Sequence, residues 1–95
     1  MAREVVLDVS ELEPPEPLLQ SLAATDRLER GDYLRLLHRR RPCLLYDNLQ
    51  QRGFASETRA GREVACEVFI WREGDEEAAR AARAIAATLP PADAL

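Results

Sequence analysis

Two short stretches hold the residues best suited to chemistry. One is Pro14-Pro15-Glu16-Pro17; the other runs from His38 through Arg40, Arg41 and Pro42 to Cys43, with Tyr46 three residues beyond. Arginines just ahead of a helix suit capture of a carboxylate or a small anion. Their forks are fixed and always charged, and the helix N-terminus adds positive potential. The competing reading is a solvated arginine face, because the terminus itself contributes only ~0.3–1 kcal/mol when exposed.

Cys43 falls in the first turn of a helix that begins after Pro42, a place that favours a nucleophilic sulfur. It is the one alternative catalytic residue, weighed against a small residue simply starting a helix. Cys66 alternates with Val64 and Val68 and belongs to the core. His38 shares parity with the inward Leu34 and Leu36, yet ends its strand and so reaches the sheet edge. It is the single histidine, and no His-x-His or Cys-x-x-Cys spacing accompanies it, so neither a metal nor a cofactor is expected. Ser10, Ser21 and Ser56 have no histidine at suggestive spacing, and Glu11 and Glu13 read as solubilising or capping groups. A conventional hydrolase is not expected.

The elements that must position these residues follow from periodicity. Glu4 to Val9 alternates with β-branched residues and predicts a strand. The prolines then form a rigid lead into a helix carrying Leu18, Leu19, Leu22, Ala23 and Leu28 at helical spacing, since proline is tolerated in a first turn. Gly31-Asp32 closes that helix, and Tyr33 to His38 is a second, buried strand. A second helix runs from Pro42 to a cap at Gly53. Phe54 to Arg59 and Glu63 to Arg72 then pair across a tight turn at Ala60-Gly61-Arg62. Asp75 to Leu89, with acids first and arginines later, predicts an alanine-rich third helix ended by Pro90-Pro91. The first two strands both run into helices, which places Pro14-Pro15 and Arg39 to Cys43 at one end of the sheet, where open α/β sheets bind ligands.

The last strand has two apolar faces, Val64, Cys66, Val68 and Ile70 on one and Phe69 and Trp71 on the other. Helices on one side cover only one of them. The cover expected for Phe69 and Trp71 is the C-terminal helix, within the chain or across a homodimer, against a foreign partner as the competing reading.

At 95 residues the chain has room for one core. Its 46% hydrophobic and 32% charged content is that of a folded domain, and the net charge of −4 argues against general nucleic-acid binding. All 13 basic residues are arginine, which excludes a lysine Schiff base. Two cysteines in dissimilar elements read as free thiols in a reducing compartment, and the N-terminal residues have the pattern of neither a signal peptide nor a membrane span. A cytoplasmic address is the simplest expectation.

The order of elements, with Leu7-Asp8-Val9 at a strand end and Pro15-Glu16-Pro17 leading a helix, resembles the TusA/SirA-like sulfur-carrier superfamily. Its Cys-Pro-x-Pro motif would place the carrier cysteine at Pro14, and a proline side chain holds no persulfide. The likeness spans roughly residues 3–72 and implies a two-layer α+β sandwich, β-α-β-α-β-β, with a mixed four-stranded sheet, two helices on one face and an extra C-terminal helix. Leu37-His38, the arginine step to Pro42, and Leu45-Tyr46 are similar to a branch of unknown function that occurs beside haemerythrin-like or nitrogen-oxide-related proteins. Some members of that branch carry two histidines before the equivalent of Pro42; here Arg40 stands where the second would lie.

The sequence therefore divides into residues 1–74, a sandwich domain, and residues 75–95, a helix and tail packing on it or on a partner. It is expected to be a non-enzymatic module that offers Pro14 to Pro17 and His38 to Tyr46 to a protein partner or a small anion, the alternative being sulfur transfer or thiol redox chemistry at Cys43.

Overall fold

A computed structural model describes residues 2–92. Strand β1 (Glu4–Asp8) is followed by helix α1 (Glu16–Asp26), β2 (Tyr33–His38), α2 (Cys43–Gln51), β3 (Phe54–Ala60), β4 (Cys66–Arg72) and α3 (Glu76–Ala86). The sheet order is β1-β2-β4-β3, with β1 parallel to β2 and the other pairs antiparallel. This is the expected mixed four-stranded α+β sandwich with an added C-terminal helix, the element order following from periodicity and the mixed sheet from the family resemblance.

Period-two alternation divides the sheet between two cores. Leu34 and Leu36 of β2 and Cys66, Val68 and Ile70 of β4 join Leu45, Leu49 and Phe54 on the side of α1 and α2. Tyr33, Phe69 and Trp71 face the other way, against Ala78, Ala79, Ala82 and Ala86 of α3. Phe69 is fully buried and Trp71 only 3% exposed. Their cover is thus supplied within the chain, which removes those aromatics as a reason to invoke a second copy. The bulk comes from the sheet, so the helix supplies small side chains that let it lie close. Ile85 is partly buried and packs against this core, and Arg83 places its guanidinium 5.2 Å from the centre of the Trp71 ring.

Three local readings are corrected. The β3–β4 connection is a five-residue loop, 61–65, rather than a tight turn, and β4 starts at Cys66 rather than Glu63. The Gly61 amide donates to the Ala65 carbonyl at 3.1 Å, folding the segment on itself and taking residues 63–65 out of the ladder. A Cβ at Gly61 would lie 2.2 Å from the Val64 carbonyl oxygen, so this approach requires glycine.

Helix α1 buries Pro17, Ser21 and Thr25, while Leu19 and Ala23 face outward. The polar pair is tolerated inside because Ser21 Oγ donates to the Pro17 carbonyl at 2.6 Å and Thr25 Oγ1 to the Ser21 carbonyl at 2.8 Å. Finally, α1 ends at Asp26 rather than at Gly31. Gly31, at φ +92°, instead turns the chain into β2.

Candidate functional site

The C-terminal ends of β1 and β2 and the N-termini of α1 and α2 meet around an open cleft of about 430 Å³. Two connections bring them there. A loop holding Pro14 and Pro15 leads from β1 to α1, and a four-residue step, 39–42, leads from β2 to α2. Val9 donates its amide to the Leu37 carbonyl at 2.9 Å, extending the β1–β2 contact toward this edge. Above it, Arg39 reaches back to Glu13 at 2.8 Å, an exposed ion pair tying the two loops together.

Of the residues singled out in the sequence, Pro14, Pro15, Pro17, His38, Arg40, Arg41, Pro42 and Cys43 line the cleft. Two do not. Glu16 is exposed on the first turn of α1, and its carboxylate accepts from Gln20 at 3.5 Å. Tyr46 packs against the core and bonds Thr58 Oγ1 on β3 at 2.5 Å, with burial raising its phenol. The cleft also takes in Arg39, Leu44 and Leu45, which lie within the stretches marked in the sequence without being singled out, and Leu18 and Ser21, which sequence reasoning passed over. For Leu18 and Leu44 a signal existed: each lies one residue beyond a proline or cysteine already assigned to a helix start.

The walls are proline and leucine, and the polar groups come almost entirely from one segment, 38–41. His38 ends β2 opposite Cys66 and is 6% exposed. Its Nδ1 accepts the Arg40 amide at 3.2 Å, which assigns the ring proton to Nε2. Burial first, then the neighbouring Arg40 and Arg39, holds its pKa below the ordinary histidine value, so the imidazole is a neutral donor at physiological pH. No hydrogen bond joins Nε2 to a described residue, and the atom is not sealed from solvent.

Arg40 and Arg41 are exposed, and neither meets a carboxylate among the described residues. Neither α1 nor α2 has a side chain capping its N-terminus. The Cys43 thiol is free and exposed at the first residue of α2, whereas Cys66 is fully buried, and burial pushes its thiol up. Among the described residues no three His, Cys, Asp or Glu side chains gather as a metal ion would need.

The opposite face carries a polar cluster of another kind. Arg35 Nε donates to Glu67 at 2.7 Å beside the Phe69 ring, and Tyr33 donates its hydroxyl to Glu4 at 2.7 Å. Each member has its partner, and the cluster reads as a structural brace beneath α3.

Fold and cleft together define a small α+β sandwich domain with a basic-lipped apolar cleft at one sheet edge. Residues 6–72 match the model of the family described as uncharacterized conserved protein (DUF2249), and the chain belongs to that family. No curated protein and no solved structure matches it. Among the described residues no helix is long and apolar enough to cross a membrane.

Proposed function

We propose that this chain is a non-enzymatic binding module, which receives an anionic group of a partner protein or of a small molecule in the cleft between α1 and α2. The observation that carries this reading is the pair Arg40 and Arg41, without carboxylate partners at the rim of a cleft that His38 also lines. The N-terminus of α2, uncapped by a side chain and with no acidic residue in its first turn, adds to the positive potential. Nothing in the reading calls for bond making or breaking, and free thiols at Cys43 and Cys66 accord with a cytoplasmic setting.

We also propose descent from the TusA/SirA-like carriers. The support is the β1–turn–α1 unit with Pro15-Glu16-Pro17 at the helix start and Pro14 where those carriers hold sulfur. On that view the domain keeps the carrier's docking edge and has lost its cargo thiol there.

The test is nuclear magnetic resonance titration with acetate and with a tetraglutamate peptide. Saturable shifts at His38 and in the 39–45 amides are expected in the wild type and not in an Arg40→Ala/Arg41→Ala variant with unchanged melting temperature. Shifts of equal size in that variant would remove the arginine rim from the reading.

A second reading places thiol chemistry or sulfur transfer at Cys43, favoured by the exposure of its sulfur in the cleft beside three arginines. Alkylation of native protein at neutral pH no faster than that of a free cysteine would dismiss it.

A further inference from the structure

Building on the anion-binding reading, we infer that the cleft's ligand is an amphipathic small molecule, an unbranched aliphatic tail ending in a single carboxylate. The polar groups of the cleft are segregated. His38, Arg40 and Arg41 lie on one consecutive stretch, whereas Pro14, Pro17, Leu18 and Leu44, from the start of each helix or the loop before it, give the rest of the lining an apolar character. A ligand matching this division is charged at one end and apolar along the rest.

Size agrees. About 430 Å³ lies within the range of small-molecule sites and far exceeds the space one carboxylate or phosphate fills. Leu44 is 74% exposed beside the cleft mouth, a large apolar side chain that a purely hydrophilic anion would leave in water.

The walls also select against a peptide. Pro14, Pro15, Pro17 and Pro42 have no amide N–H, and the carbonyls of Pro15, Pro17 and Pro42 already accept from Leu19, Ser21 and Leu45, so a peptide backbone laid along them would lose water for few partners. A hydrocarbon tail has no such demand. At the polar end the guanidinium forks match a planar carboxylate, and His38 lines the same end. Arg39 is already held by Glu13, leaving Arg40 and Arg41 for the head group.

The experiment is calorimetric titration of the full chain with acetate, butyrate, hexanoate and octanoate, with hexanol as the uncharged control and tetraglutamate as the peptide control. Affinity is expected to rise about fourfold for each methylene added. Hexanol should bind at least tenfold more weakly than hexanoate, and Arg40→Ala/Arg41→Ala should erase that difference. Leu44→Asn, at an exposed position, should flatten the chain-length dependence.

Equal binding of acetate and octanoate would overturn the amphipathic ligand and leave the anion site standing. Binding of tetraglutamate alone would also overturn it, in favour of an acidic protein partner. Absence of binding by every carboxylate and by the peptide would overturn both this inference and the reading beneath it.

Discussion

Asp75 Oδ2 accepts the backbone amide of Gly31 at 2.6 Å, joining positions 44 residues apart, while its other oxygen accepts the Ala78 amide at 3.2 Å and caps α3. One carboxylate thus fixes both the turn into β2 and the start of the helix that covers Phe69 and Trp71. Asp75→Ala removes a cap and leaves the Gly31 amide unmatched in a buried place, and it should cost about 1–3 kcal/mol. Urea unfolding measures it. A loss below about 0.5 kcal/mol, the ordinary effect of a surface change, would show that the bond carries little.

The same carboxylate predicts a pH dependence. The Gly31 amide is the chief cause holding the Asp75 pKa below the ordinary aspartate value in the folded state. The unfolded chain therefore takes up the proton first as pH falls. The contribution is fully present above about pH 4 and is lost below it as the folded carboxyl protonates. Asp75→Asn should reduce the acid sensitivity of the melting temperature in that window.

His38 acts in a higher window with the same sign. Burial and the nearby arginines depress its folded pKa, so its neutral form contributes stability that is complete above about 6.5 and declines as pH falls. Between pH 7 and pH 5 the wild type should lose stability, and His38→Gln should lose less. Parallel stability curves for the two proteins would show that the imidazole is not held neutral by its surroundings.

Phe69 marks the dependence of the fold on α3. Its side chain is fully enclosed by the helix's alanines and by the Arg35 guanidinium at 5.7 Å. Phe69→Ala should cost about 3–5 kcal/mol in urea unfolding. Trp71, the single tryptophan, reports on the same face, and its emission should be that of a buried indole and should not change on dilution. A red shift on dilution would mean that a second copy helps to cover it.

Beneath α3, Glu67→Gln separates charge from shape. It keeps the volume but gives up the charged bond at 2.7 Å to Arg35, a partly solvated group, and should cost about 1–2 kcal/mol. High salt should change the cost of Glu67→Gln little, since Glu67 itself is buried.

Strand β2 was legible residue by residue because a short apolar run between Gly31-Asp32 and an arginine run leaves few alternatives. The two-faced character of β4 was legible for the same periodic reason, and it required a cover for Phe69 and Trp71 before any helix was placed. Other features depended on contacts that a linear pattern does not carry. The bond that closes the 61–65 loop joins Gly61 to Ala65 through backbone atoms alone, and the burial of Ser21 and Thr25 rests on bonds to their own helix. In the cleft, the placement of Pro14-Pro15 beside Arg39 to Cys43 followed from two strands entering helices at one edge. The Arg39–Glu13 pair did not, because it links side chains 26 residues apart. Tyr46 was misplaced for want of its partner Thr58, which comes from a strand on the far side of the sheet order.

The central strands β2 and β4 are bonded to neighbours on both edges and roofed on both faces, by α1 and α2 above and α3 below. Their amides can meet solvent deuterium only when one of those roofs lifts. Leu36 and Val68, paired across the middle of the sheet, should then be the last to exchange, at the rate of global opening. The β1 edge, open on one side, should exchange well before them.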